Sequence, residues 1–291
     1  MEDNGNKPGL TVTTPEVKRL RASGPILLLA ILFVIGAFLT WYFTWFGREL
    51  SDADIAQYLV DAKHPRRVQH ALLQIQQRIE RNDPTAKQWY PQIVTLSGSA
   101  ETEFRLTVAW LMGFDRNSEE FHQALLKLVQ DPEPIVRRNA ALALVRFNDP
   151  GGHRELIEML KPYEVKATAE GKVNSTLQEG SSLTRGTLLI RIGKPDNTLT
   201  EIRSPLPGKV ERVLAPSGTN VNVGTTVVTI NSDEETIWEA LRGLSLVGST
   251  EELPLIEAYA QGSHGESARI KQQATQTIKA IQTRASNNGK T

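Results

Sequence analysis

The sequence predicts an α+β protein in three parts: an apolar N-terminal helix, a helical array, and an all-β domain spliced into that array. Three observations lead there. Residues 22–47 contain no charged side chain. Apolar residues recur at helical spacing from Ile55 to Ile79 and again from Phe104 to Val145. Between them and a further helical stretch, residues 169–230 carry nearly the same text twice, the mark of an internal repeat.

The apolar segment, residues 24–46, is long enough as a helix at about 1.5 Å per residue to cross the ~30 Å hydrocarbon core of a bilayer. Trp41, Tyr42, Trp45 and Phe46 gather at its C-terminal end, where amphipathic rings suit a headgroup interface. A cleaved signal peptide would be shorter and would end in a small-x-small site. Lys18, Arg19 and Arg21 precede the span and Arg48 follows it. By the positive-inside bias, residues 1–23 are expected in the cytoplasm as a polar tail, with the bulk of the chain outside. The expected location is a single-pass position in the inner membrane, facing the periplasm.

From residue 47 the apolar period becomes that of helices. Ile55, Leu59 and Val60 mark a short helix, and Val68, Ala71, Leu72, Ile75 and Ile79 a second. Phe104, Val108, Ala109, Leu111 and Met112 mark another; Leu125, Leu126, Leu128 and Val129 another; Val136, Ala140, Ala141, Leu144 and Val145 another. Before the last of these stands Asp131-Pro132-Glu133-Pro134, a turn. The run Asp-Pro-x-Pro-x-Val-Arg-x-x-Ala-Ala-x-Ala-Leu resembles HEAT repeats, which implies antiparallel helix pairs stacked into an α-solenoid. Equivalent apolar positions are Val68, Phe104, Val136, Ile237 and Ile270, at spacings of 36, 32, 101 and 33 residues; omitting the 70 residues of 162–231 turns the 101 into 31. The helical repeats are therefore expected over 47–161 and again over 232–284, with 285–291 a tail. One helix (Leu156, Ile157, Met159 and Leu160) should lie before the insert, and its partner (Ile237, Leu241 and Leu244) after it. A stacked repeat cannot bury its face alone, so the two parts should form one core, with the ends of the insert side by side.

Within the insert, Gly171, Gly180 and Gly186 answer to Gly208, Gly218 and Gly224 at an offset of 37 or 38 residues. Valines alternating with polar residues between these glycines read as short strands joined by turns. The tract Asp196-Asn197-Thr198-Leu199-Thr200-Glu201-Ile202-Arg203-Ser204-Pro205 resembles the hairpin of lipoyl domains. The domain as a whole resembles the biotinyl/lipoyl, or barrel-sandwich hybrid, family. That family implies a lysine at the hairpin tip, acylated by its cofactor. Here the position is Asn197, whose carboxamide cannot be acylated in that way, and Lys194 is three residues out of register. No cofactor is therefore expected. The paired half-motifs also resemble the lipoyl-like module of periplasmic adaptor (membrane fusion) proteins, although only 193–201 separates the halves here and no helical hairpin does.

Composition narrows the chemistry. Lys plus Arg and Asp plus Glu both number 33, for a net charge of zero, so no basic footprint for nucleic acid is present. The absence of cysteine rules out disulfides and thiol chemistry. The five histidines are scattered without metal-ligand spacing, and no nucleophile elbow, phosphate loop or dinucleotide glycine pattern occurs. No catalytic or metal-ligating residue is expected, and the protein is read as a non-enzyme.

Two features remain as partner-binding candidates. Arg66, Arg67, Arg105, Arg137 and Arg138 recur at similar helix positions. They form either a structural ladder paired with turn acids such as Asp131 or a basic stripe for a partner, with Arg105, Arg137 and Arg138 the leading residues. Trp89-Tyr90 beside Pro91 is either core or a contact patch, while Trp110 and Trp238 read as core.

The expected function is a membrane-anchored extracytoplasmic scaffold whose partners are proteins, with the unmodified β-module projecting from it. The alternatives are a divergent periplasmic adaptor of an efflux or secretion complex, and a carrier modified on Lys194.

Overall fold

The computed structural model describes residues 24–42, 49–194, 198–263 and 265–288. The chain forms two compact units, residues 1–49 and 50–291. In the first, helix α1 (Gly24–Trp41) has 18 residues and a mean hydropathy of 2.3. Its side chains are exposed along its length, and Phe38 stacks on Tyr42 with ring centroids 6.2 Å apart. It is long and apolar enough to cross a membrane. Trp45, Phe46 and the polar residues 1–23 lie outside the described residues.

Among its described residues the second unit contains five consecutive helix pairs. They are α2 (Asp52–Leu59) with α3 (Pro65–Glu80), α4 (Tyr90–Leu96) with α5 (Thr102–Met112), and α6 (Glu119–Leu128) with α7 (Pro134–Arg146), followed by α8 (His153–Met159) with α9 (Glu234–Val247) and α10 (Leu253–Gln261) with α11 (Ala268–Asn288). Their starts follow from local chemistry. Ser51 and Asp54 form a reciprocal capping box on α2, and the Ser118 and Asp233 side chains accept from the first-turn amides of α6 and α9, satisfying donors that have no partner within the helix. Pro65 and Pro134 open α3 and α7, where a missing N–H costs nothing.

Second helices of successive pairs pack on one another, α3 on α5, α5 on α7, α7 on α9 and α9 on α11. One hydrophobic core runs from Leu50 to Ile281 through all five pairs. Because α8 packs on α9, that core continues across the point of insertion. Val68, Phe104, Val136 and Ile270 are buried as the repeat spacing requires, but Ile237 is only half-buried. It stands where the β-domain joins the array, and Ala240, Leu241 and Leu244 take the inward positions of α9 instead. Helix α4, with the 3₁₀ turn Pro84–Trp89 before it, has no counterpart in the sequence reading, since Pro84 and Pro91 interrupt the apolar period.

Among the described residues the inserted domain has eight strands: β1 (Tyr163–Lys166), β2 (Gly171–Thr176), β3 (Ser182–Leu183), β4 (Leu188–Gly193), β5 (Leu199–Arg203), β6 (Gly208–Val213), β7 (Asn220–Val221) and β8 (Thr226–Asn231). They make two four-stranded antiparallel sheets, ordered β1-β8-β6-β3 and β5-β4-β2-β7. Advancing each label of the first sheet by four around the ring of eight gives the second. The two halves of the repeat therefore exchange strands, each sheet taking two strands from each half. The matching extends to hydrogen bonds: Gly218 donates to Val173 O and Gly180 to Val210 O, both at 2.7 Å. Gly171 and Gly208 both adopt a φ near +148°, and a Cβ at either would come within 2.3 Å of a carbonyl oxygen on the neighbouring strand. Only glycine fits that backbone and that gap.

Tyr163 pairs directly with Ile230, which puts the ends of the insert side by side. The domain has its own core, built from both sheets and sharing no residue with that of the array, and no helix–strand pair forms a substantial interface. An exposed ion pair links Arg185, on the turn after β3, to Glu103 on α5.

Candidate interaction surface

Arg105 and Arg137 occupy equivalent places on α5 and α7 and do equivalent things. Arg105 donates from Nη1 to the carbonyls of Ser99 and Ala100 before its own helix. Its Nε and Nη2 reach the two carboxylate oxygens of Asp131, in the next repeat, at 2.7 and 3.0 Å. Arg137 donates from Nη1 to the carbonyls of Asp131 and Pro132 and from Nε to Glu155 on α8, at 2.9 Å. Each arginine thus closes its own turn and clamps the next repeat, Arg105 in the forked geometry that suits a guanidinium and a carboxylate. Burial opposes the Asp131 charge, but the Arg105 hydrogen bond and the Glu133 amide outweigh it and hold the carboxyl below its usual range.

Arg138 is a correction to the sequence reading. It is 4% exposed, with Nε lacking a hydrogen-bond partner and Glu155 Oε1 at 3.9 Å. Burial lowers its pKa, opposed by the charges of Glu155, Asp233 and Tyr163 around it. A residue enclosed where the β-domain joins the array cannot meet a partner.

Trp89 and Tyr90 are also corrected as contact residues: they are 6% and 7% exposed. Tyr90 donates its hydroxyl to Asp115 at 2.7 Å, and its ring lies 4.1 Å from that of Phe121. Burial, reinforced by Asp115, pushes the phenol pKa up. Both are core residues of the second pair. Lys194 follows β4, its amide donating to Thr198 O at 2.9 Å; Asn197 lies outside the described residues.

The surface that remains accessible runs across the second helices. Trp110 on α5, predicted as core, is 37% exposed and meets Phe114 edge-on at 5.6 Å. The Arg146 guanidinium, from α7, lies 4.9 Å from the Trp110 ring centre and 4.7 Å from that of Phe114. On α9, Trp238 is flanked by Arg242 at 5.4 Å and by Arg269 of α11 at 4.7 Å, and Arg269 binds Glu235 at 2.7 Å. Glu239 lies between these groups, its pKa raised by burial and by Glu235. The two clusters of cation–π contacts lie on four helices, and beside the Trp110 cluster opens a cleft of about 810 Å³ lined by Ile79, Phe114, Arg146 and Leu246 among others. Aromatic and arginine side chains on an accessible face are the groups that dominate protein recognition. The visible signals were the i, i+4 pair Trp110–Phe114 and the arginine closing α7. Neither signal specifies exposure, which depends on which helix face the neighbouring repeats leave open.

Among the described residues no group of His, Asp or Glu could hold a metal ion.

These features define a helical-repeat protein with an inserted β-domain. Residues 91–171 match the family model of HEAT repeats, a stretch that runs from α4 to the start of β2 and includes the Arg105 and Arg137 clamps. No protein of curated function matches the chain. One solved structure, of a single-chain, multi-domain long-chain acyl-CoA carboxylase, is similar over 35% of this chain and 11% of that one, at 16% identity and a TM-score of 0.24. This chain therefore spans about a tenth of that protein.

Proposed function

We propose that this protein is a non-enzymatic scaffold, anchored by α1 in the inner membrane with its bulk outside the cytoplasm. It holds a protein partner on the second-helix face of a HEAT-like solenoid. The observation that carries this reading is the pair of aromatic–arginine clusters on the second helices, Trp110–Phe114–Arg146 and Trp238–Arg242–Arg269, since stacked repeats present extended surfaces to partners. The β-domain is read as an unmodified module of the barrel-sandwich hybrid type; its exchanged halves support that fold.

Photo-crosslinking in native membranes tests the idea. A crosslinker replacing Trp110 or Leu246 should trap one defined protein, and one replacing Glu120 on α6 should not. Equal trapping at the three positions, or none, sinks the reading. Single cysteines introduced into this cysteine-free chain and treated with a membrane-impermeant maleimide test the orientation. A cysteine replacing Gln178 should react in intact cells from which the outer membrane has been removed.

A divergent adaptor subunit of an export complex is the second reading, favoured by the doubled half-motifs beside an N-terminal apolar helix. It requires that deletion of the gene change export or drug tolerance. A carrier role through Lys194 requires added mass on that residue in natively purified protein.

A further inference from the structure

We propose that β1 is the pairing edge of a two-fold dimer, in which the β1 strands of two copies of this chain run antiparallel about Val165 and join their sheets into one. The β-domain has four sheet edges. Strands β3 and β7 are two residues long, too short to template pairing. Edge β5 is guarded by Glu201, braced by Arg191 at 3.2 Å and Arg203 at 2.6 Å, the kind of charged block that keeps edges apart. Edge β1 has no such brace. The irregularity in its pairing falls on β8, where Val165 faces Val228 and Lys166 faces Thr226. The extra residue, Val227, therefore belongs to β8, and β1 stays regular. A groove of about 760 Å³ is lined by β1 together with Glu158, Lys161, Ile202, Arg203 and Pro205.

The direction of the backbone groups follows from Ala167. Its amide donates to Thr225 O and its carbonyl accepts from the Gly224 amide, both at 2.8 Å, so Ala167 bonds inward. By the alternation of a β-ladder, Val165 also bonds inward, while Glu164 and Lys166 turn their N–H and C=O groups to the open edge. Their side chains are exposed and that of Val165 is buried. Glu164 keeps a contact with Thr226 Oγ1 at 3.2 Å through one carboxylate oxygen, leaving the other available.

The short text Glu164-Val165-Lys166 identifies the occupant. Antiparallel pairing centred on Val165 sets Glu164 opposite Lys166 of the partner subunit, and its own Lys166 opposite Glu164 of the partner subunit. That arrangement makes four backbone hydrogen bonds and two opposite-charge cross-strand pairs. Centring on Glu164 or on Lys166 instead sets like charges face to face, so the register is selected as well as the partner. The edge is self-complementary, as an isologous contact demands.

The full chain has no cysteine, which makes the test direct. Glu164→Cys and Lys166→Cys chains carrying different tags are mixed and mildly oxidised. Directly opposed residues in such a ladder stand about 5.5 Å apart at Cα, within disulfide reach. The mixture should give a covalent dimer at least about tenfold more abundant than either variant alone, and Glu201→Cys should give none with either. By sedimentation, Glu164→Lys should weaken dimerisation and Glu164→Lys/Lys166→Glu should restore it. Monomeric wild-type chain with no crosslink in the mixture, as expected if β1 receives an extended segment of another protein, overturns the proposal. Crosslinking of the single variants equal to that of the mixture overturns it as well.

Discussion

The hydroxyl of Tyr259 donates a hydrogen bond to the backbone carbonyl of Leu160, 2.5 Å away in space and 99 residues back in the chain. Leu160 is the C-cap of α8, just ahead of the insert, and Tyr259 belongs to the last pair, so this bond bridges the interruption. Tyr259→Phe should cost about 1–3 kcal/mol, the penalty of an unsatisfied buried acceptor. Burial, with the nearby Glu266 charge, pushes the phenol up to about 12 from an ordinary value of 10.0. The group thus holds its proton more tightly in the folded state. Its contribution is fully present below pH 10 and is lost as pH rises through about 12. Chemical denaturation between pH 9 and 12 should show the wild type losing stability over that window while Tyr259→Phe stays flatter.

Asp131 to Ala should be the more damaging change. Both partners of the Arg105 pair are well buried, at 12% and 5% side-chain exposure, so removing the carboxylate strands a guanidinium, at about 3–5 kcal/mol. Because the Asp131 pKa is lowered in the fold, the pair stabilises above the ordinary carboxylate value and weakens as pH falls through the lowered one. Urea midpoints of the wild type should drop on acidification below about pH 4, and Asp131→Asn should remove part of that slope.

Gly208→Ala places a methyl 2.1 Å from Asn231 O at a φ of +147°. Backbone strain alone costs about 1–3 kcal/mol, and the clash adds to it. Gly171→Ala, its counterpart, should behave alike, whereas Gly98→Ala, with nothing nearer than 3.7 Å, should be close to neutral. Thermal melts of the three variants check this; a mild effect at Gly208 together with a severe one at Gly171 would contradict the matched halves.

Replacing residues 162–231 with a short Gly-Ser link should leave the helical array folded. The two cores share no residue, the ends of the insert are paired neighbours, and the exposed Glu103–Arg185 pair is worth about 1 kcal/mol or less. The shortened chain should keep a cooperative helical melt by circular dichroism. Loss of the transition would mean that the β-domain is part of the array's stability.

Much of this fold is readable along the chain because it is written in local terms. The glycine offset marks positions of positive φ, which glycine enters at least cost, and Gly171, Gly180 and Gly186 share that trait with Gly208, Gly218 and Gly224. Period 3.6 between capping residues marks most of the helices, and the excess spacing between Val136 and Ile237 marks the insert. Helix α4 escaped because prolines at 84 and 91 break the period on which such a reading rests.

Side-chain accessibility followed a different logic. Arg105, Arg137 and Arg138 look alike in one dimension, yet the first two clamp neighbouring repeats and the third is buried, while Trp89 is core and Trp110 is partly exposed. Periodicity tells which residues share a helix face. Which faces are covered depends on how the repeats stack, and which strands meet depends on the exchange between the two halves. Both are long-range contacts, formed between residues far apart in the chain.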